Sequence, residues 1–540
     1  MLVIPPVSYD DKNTMLAVGG ALAVCLLTWF HHHSQYQRQK RLAVDEDGNP
    51  IKLREIPYQP GGLPIIGNLL EIVRNRHRIY DWSVEQCLRF KGQPFKRRIP
   101  GQPEIVTFCT PEPIEEITTK QFDNFIKGEL QVDVLEGLFG RALIASDGER
   151  WYHQRKTAAK FFSARALRAF MNKAVHKNID EVCDVFERAI QANEQVDLLR
   201  LFHEFTLQTF VEMGVGLDLK WIGREEPHPF FTSMHTATLM MQKRLFQPAW
   251  SWRLQRYFNI GPERRFKEEM SVIRTWLRDV LKVTLADINK RKKEGKPAES
   301  NGEAIKSVIE LFVETSNEEV EGGRTEDLVE FLQTFIFGAR DTTALTMSWL
   351  FYELGRNPHV VQAMRDEIKL KLPAEAANHN VCLTTEHIRH LVYLEATLKE
   401  LLRLHPVAPS TLKYVVRDTV ICGDIPLYKG QMVLLSAYAM ARNPDVWGPD
   451  AAEFKPERWI DPKTGKITPV PSSKFFTFHS GPRTCVGMNL AMLELRVVLA
   501  NLVNRYDFEM DPSNDGSYIP SPLMLMKYPL WAKVTRVESF

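Results

Sequence analysis

Phe478-His479-Ser480-Gly481-Pro482-Arg483-Thr484-Cys485-Val486-Gly487 is the stretch that decides the fold of this chain. It sets one cysteine on a glycine-rich turn, with an arginine two residues ahead and an apolar helix directly behind. A helix predicted over about Val486 to Arg505 aims its N-terminal N–H groups and positive dipole end at the Cys485 sulfur. A thiolate survives as a metal ligand in that setting. Gly481 and Gly487 let the backbone approach a flat cofactor face, and Pro482 stiffens the turn. Cysteine thiolate is one of the few axial ligands of haem iron. A lone cysteine at a helix start, by contrast, is ordinarily structural.

The ten residues together outweigh that plainer reading. They resemble, at every fixed position, the haem-binding signature F-x-x-G-x-R-x-C-x-G of the cytochrome P-450 family, and Ala491 falls where the family usually has a small residue. The resemblance implies a mainly α fold with a small β region. It also implies haem b, with Cys485 as the axial iron ligand and with Phe478, Arg483 and Gly487 against the cofactor.

Working outward, Glu400 and Arg403 lie three apart on a helix that is predicted to stop before His405-Pro406, so they share a face. A second arginine, Arg458, sits in Phe454-Lys455-Pro456-Glu457-Arg458-Trp459. These resemble the family's E-x-x-R helix and P-E-R-F element, with Trp459 replacing the phenylalanine. By that resemblance Glu400, Arg403 and Arg458 form a buried structural triad that holds the cysteine loop. An exposed pair of this kind would contribute only about 0–1 kcal/mol.

Thr325-Glu326-Asp327 reads as a helix start, and the mostly apolar run that follows reaches Leu354 before Gly355 and Asn357-Pro358. At 1.5 Å per residue such a helix spans roughly 43 Å and crosses the interior. Its middle, Gly338-Ala339-Arg340-Asp341-Thr342-Thr343, is polar and β-branched. That predicts a local opening, with Thr342 donating to dioxygen and Asp341 relaying protons. The plain alternative is threonines bonding back to the preceding turn. The run resembles the family's A-G-x-D-T-T motif with alanine and glycine in swapped order. Gly338, four before Thr342, is not the glutamate that some fatty-acid hydroxylases carry there, so a covalent haem ester is not expected. Trp151 and Arg155, four apart on a predicted helix, resemble the family's W-x-x-x-R pair, which binds one haem propionate. Arg483 is expected to serve the other, guanidinium being suited to carboxylates.

The chain has 540 residues, 44% hydrophobic and 25% charged, with a formal net charge of +2. That supports a large core and gives no argument for a nucleic-acid partner. Length alone would suggest several domains, but the motifs converge on one cofactor, so residues 57–540 read as one catalytic domain. Its seven cysteines are scattered without paired spacing, as in a reduced, cytosol-facing protein.

Residues 1–14 read as a short tail and the apolar segment 15–30 as a single transmembrane helix. The basic and polar stretch 31–56 is a linker, and 57–68 a proline-rich hinge like that of microsomal family members. Positive charge behind segment 15–30 places the catalytic domain on the cytosolic side of a lipid bilayer, by resemblance that of the endoplasmic reticulum. Short strands are predicted over Val415–Val420 and Val433–Ser436. The Phe-, Met- and Trp-rich run from Phe230 to Trp252 suits either an apolar entrance or core packing.

No G-x-G-x-x-G and no P-loop is present. Electrons from NADPH are therefore expected to arrive through a separate cytochrome P-450 reductase, with Lys156 and Lys160 as docking candidates. The implied activity is insertion of one oxygen atom of O2 into an apolar small molecule. The motif combination looks most like fungal, oomycete and plant long-chain fatty-acid ω-hydroxylases. Sterols, alkanes, xenobiotics or a secondary metabolite are the alternative substrates; a peroxygenase, an isomerase or a non-enzymatic haem protein are the alternative classes.

Overall fold

The computed structural model describes residues 42–43, 50–162, 164–245, 247–294, 299–300, 303–304, 309, 323–378 and 381–537. The expected tail 1–14, the membrane segment 15–30 and most of the linker 31–56 lie outside the described residues. Among those described, no helix is long and apolar enough to cross a membrane.

Six helices build the site: α1 (Gly148–Phe161), α2 (Leu198–Val215), α3 (Pro229–Leu245), α4 (Gly323–Arg356), α5 (Val392–Leu404) and α6 (Met488–Arg505). The expected mainly α fold with a small β region is present. Local chemistry sets the ends. Asp197 caps α2 by accepting from the N–H groups of Leu199 and Arg200, and Gly216 ends it at a φ of 82°. Helix α5 stops at Leu404, ahead of His405-Pro406, as predicted. Helix α4 extends two residues past each predicted end, and α6 begins at Met488 instead of Val486. Apolar α4 runs along α2 through the centre of the core, and the Thr206 hydroxyl pins the two by donating to the Arg340 carbonyl at 3.0 Å.

A five-stranded sheet stands beside the helices. It comprises β1 (Phe95–Arg97), β2 (Ile105–Phe108), β3 (Phe125–Ile126), β4 (Ser410–Val415) and β5 (Met432–Ser436), in the order β1-β2-β5-β4-β3. Strands β2 and β5 are parallel and the other pairs antiparallel. The strand predicted over 415–420 is broken. Asn124 accepts the Arg417 N–H on its side chain at 2.7 Å and the Val416 N–H on its carbonyl at 3.0 Å, which bends the chain out of the ladder. Pairing resumes at Thr419–Ile421. The 57–68 hinge folds back onto the sheet's edge, where Asn68 exchanges hydrogen bonds with the backbone of Arg98.

Candidate active site

The Cys485 loop is held from three directions. The Cys485 N–H donates to the Phe478 carbonyl at 2.8 Å, closing the turn. Gly481 has a φ of 65°, and a Cβ there would lie 2.1 Å from the Thr118 carbonyl oxygen, so glycine is required for both conformation and space. The Ser480 and Thr118 hydroxyls bond at 2.6 Å, and the Thr477 hydroxyl donates to the Leu402 carbonyl of α5. The thiol lies deep in the protein yet is accessible, so it opens onto internal space. Burial pushes its pKa up, while the Gly487 N–H, Arg155 and the Met488 N–H pull it down. These groups favour a thiolate, and a metal cation supplies what burial removes.

Next to the loop the sheet register gathers cations. Pairing of Ile126 with Tyr414 sets Lys127 beside Lys413, and Lys413, 3% exposed, lies opposite Val433 in mid-sheet. Arg483 lies 4.3 Å over the Trp151 ring. One carboxylate, Asp147, serves this cluster. It accepts from Arg483 Nη2 at 2.6 Å and from the backbone N–H groups of Lys127 and Gly128 at 3.0 and 3.2 Å. Burial and the Arg483 charge press Lys127 down to about 8, and burial chiefly presses Arg483 down to about 10. Lys413 falls well below its ordinary value through burial and the Lys127 and Arg483 charges. Burial, then Lys413, drives His479 to about 3, so that ring is neutral. Three cations, Lys413 buried and Lys127 and Arg483 partly so, against one carboxylate leave an excess that a dianion would offset, and Arg483 Nε is buried without a partner. The two propionates of haem b are such a dianion, and a thiolate donor suits its iron. The residues present therefore fit the group. Lys127, Lys413, Asp147 and His479 escaped the sequence reading; the visible signal was a lysine inside strand β4, between Leu412 and Tyr414.

Helix α4 stays α-helical from Gly323 to Arg356, so the local opening predicted over 338–343 does not form. The Thr342 hydroxyl instead donates to the Gly338 carbonyl at 2.6 Å and that of Thr346 to the Thr342 carbonyl at 2.7 Å, the plain reading of these threonines. What distinguishes this turn is access. Between Leu332 and Leu350 only Gly338, Ala339 and Thr342 are not buried, and a Cβ at Gly338 would meet open space. Asp341 points to the other side, where Arg340 Nη1 donates to its Oδ1 at 2.6 Å.

Glu400, Arg403 and Arg458 come together. Glu400 is fully buried and accepts Arg403 Nε and Nη2, each at 2.8 Å, and Arg458 Nε at 2.8 Å. Trp459 adds its indole N–H at 3.0 Å, which the phenylalanine usual at that position has no means of doing. Elsewhere the structure assigns apolar residues to packing: Phe230, Met234, Met241 and Trp252 are core. Lys156 is exposed next to half-buried Arg155, and the Lys160 side chain lies outside the described residues.

The cytochrome P-450 family profile matches residues 57–535. Cytochrome P-450 monooxygenase cyp1 of Mycosarcoma maydis is 28% identical over 88% of this chain and 75% of its own length. Cytochrome P-450 94B1 of Arabidopsis thaliana is 28% identical over 89% and 92%, and cytochrome P-450 704C1 of Pinus taeda 28% identical over 84% and 88%. Signature loop, cation cluster and matched span agree: this chain belongs to the cytochrome P-450 family, haem b-dependent monooxygenases that use O2 and NADPH electrons passed on by a reductase.

Proposed function

We propose that this chain hydroxylates a long-chain fatty acid at or near its ω carbon. We further propose that it does so at the endoplasmic reticulum, with segment 15–30 as a single-pass anchor in the bilayer and the catalytic domain facing the cytosol. One observation carries the substrate reading. Three residues beyond Thr342, Leu345 forms a buried cluster with Val407 and Leu525, against which Leu239, Ile519 and Leu523 pack. Every one of these is Leu, Ile or Val. Leu345, Val407 and Leu525 are packed, while Leu239, Ile519 and Leu523 keep hydrocarbon surface that suits a methylene chain through burial and dispersion and offers nothing to a polar ring system. The motif resemblance to fatty-acid hydroxylases points the same way.

Haem, when bound, supplies the dioxygen activation and the oxidising power that an unactivated C–H bond needs. The roles of the chain's own residues follow. Cys485 Sγ would ligate the iron, and Phe478 and Gly487 would border the cofactor. Trp151, Arg155 and Arg483, joined by Lys127 and Lys413, hold the propionates. Thr342 Oγ1, on the accessible turn of α4, and the Asp341 carboxyl, turned toward α2, hold protons, and Glu400, Arg403 and Arg458 keep the cysteine loop in place. Lys156 contributes to the face on which the reductase docks.

An alkane satisfies the same surface, because no cation in it addresses a carboxylate. The deciding experiment incubates the microsomal protein with reductase, NADPH and saturated long-chain fatty acids or the matching alkanes. Hydroxylation of the acids near the terminal methyl, identified by mass spectrometry, is the expected result. Oxidation of the alkanes alone, or of neither, overturns the fatty-acid reading.

A further inference from the structure

A titratable side chain that plays no part in the roles above lies against Asp341. His203 projects from α2, and its Nδ1 is 2.8 Å from the Leu199 carbonyl oxygen. A carbonyl only accepts, so Nδ1 carries the ring proton and donates it. The second nitrogen, Nε2, then faces Asp341 Oδ1 at 3.6 Å. In a neutral ring Nε2 is a lone pair, and a carboxylate oxygen is another acceptor. At 3.6 Å the two are too far apart for a hydrogen bond, and the gap is closed either by a proton shared between them or by one water that donates to both.

The other groups around this contact do not supply one. Arg340 donates to the same Oδ1, but a guanidinium does not give up its proton in a protein, so it orients the carboxylate and no more. The Thr206 hydroxyl is committed to the Arg340 carbonyl. The charged and titratable groups facing His203 are Arg340 and Asp341 from α4 and His235 from α3, while Glu204 on α2 acts on Arg340. Burial first, then the Arg340 charge, holds His203 down at about 4, and the same two causes lower His235. The ring is therefore neutral at rest and takes a proton only in passing. Its side chain is 12% accessible against 7% for Asp341, and His235 is exposed, so water reaches the histidine side of the contact first.

Building on the reading that Asp341 and Thr342 hold protons, we propose that His203 is a positioning residue that reloads Asp341. After Asp341 has turned from α2 and released a proton toward the Thr342 side, Nε2 takes one from a solvent hydronium ion, which leaves as water. The Nε2–H bond then breaks as the Oδ1–H bond forms. One proton enters for each that leaves, no electrons move, and His203 returns to the neutral ring.

The test uses the haem-loaded full chain with reductase, NADPH and a saturated long-chain fatty acid as probe. It compares His203→Gln, Asp341→Asn and the double variant. Readouts are the split of NADPH electrons between hydroxylated product and hydrogen peroxide, and the solvent deuterium isotope effect; peroxide is read even where the acid is not turned over. His203→Gln is expected to raise the peroxide share several-fold and to enlarge the isotope effect, and the double variant to be no worse than Asp341→Asn. Coupling and isotope effect equal to the unmodified enzyme, or losses that add in the double variant, overturn the proposal. A silent Asp341→Asn overturns it too, by removing the reading of Asp341 on which it rests; an active Asp341→Asn with a silent His203→Gln sinks the reloading alone. The carbon monoxide difference spectrum reports whether each variant holds haem. Should His203→Gln not, His203→Asn replaces it, and a proton inventory on the unmodified enzyme decides independently: curved is expected, and linear overturns the proposal.

Discussion

Trp459 donates its indole N–H to Glu400 Oε2 at 3.0 Å, so the buried carboxylate that joins α5 to the 456–459 turn receives four side-chain N–H groups. The Lys455 backbone N–H adds a fifth at 2.9 Å. Removing the charge leaves Arg403, 2% exposed, buried without its counter-ion. Glu400→Gln is expected to lose about 3–5 kcal/mol. Thermal unfolding of the haem-loaded protein, compared with Trp459→Phe at about 1 kcal/mol, checks the ranking.

Gly481 is the second point of rigidity. An alanine there combines a positive φ with a Cβ 2.1 Å from the Thr118 carbonyl oxygen. Backbone strain alone costs about 1–3 kcal/mol, and the clash moves the segment that carries Cys485. Gly481→Ala is expected to lower the haem-to-protein ratio after purification several-fold, whereas Gly465→Ala, at a similar φ with nothing nearby, leaves it unchanged.

At Thr342 a valine keeps the β-branched shape and removes the hydroxyl. Its helix bond to Gly338 is a back-bond of small worth, so unfolding should shift by less than about 0.5 kcal/mol. Product formation is expected to fall and peroxide to rise at nearly constant NADPH consumption. Equal coupling in Thr342→Val would remove Thr342 from proton handling.

Charge at the cation cluster gives a pH dependence. Lys127, held at about 8 without a bound dianion, sits below its ordinary value, and propionates raise it again. Haem binding therefore takes up a proton between about pH 8 and the higher bound value, and affinity falls as pH rises through that window. Haem transfer to an acceptor protein should accelerate above about pH 8. In Lys127→Met the acceleration disappears: retention is on the order of tenfold weaker below about pH 8 and meets that of the parent above the window.

Glu494 on α6 contributes in the opposite chemical sense. It is buried, its Oε1 has no partner, and burial pushes it up to about 8. The folded chain keeps this proton while the unfolded chain loses it at about 4.3. The folded state thus binds more protons between these values, and stability declines as pH rises from about 4.3 to about 8. Glu494→Gln is expected to be more stable than the parent at pH 8, by about 2–4 kcal/mol, and no more stable at about pH 4. Parallel stability curves for the two proteins would contradict this.

Much of the site was legible because the residues that carry it are close in sequence. The Cys485 loop is ten consecutive residues, Glu400 and Arg403 share one helical face, and Trp151 and Arg155 another. The apolar length of α4 likewise announced a helix through the core. What stayed hidden arises only from pairing across the chain. Lys127, Lys413 and Asp147 meet because β3 and β4 are in register and a carboxylate closes on two backbone N–H groups, which no local pattern encodes. His203 and Asp341 are joined by the packing of α2 on α4. The polar middle of α4 misled for a related reason. Burial along α2 and side-chain back-bonds keep the helix intact where propensity alone weakens it.

Helix α4 makes about nine turns, yet across its buried middle it offers access at one of them, through Gly338, Ala339 and Thr342. Room for change of specificity is therefore unevenly distributed. Substitutions elsewhere along that middle disturb packing before they touch a substrate. The partly exposed aliphatic positions Leu239, Ile519 and Leu523 can exchange one hydrocarbon shape for another while the central helix stands. Divergence of substrate preference among descendants of this chain, and directed evolution in the laboratory, should accumulate in those peripheral segments.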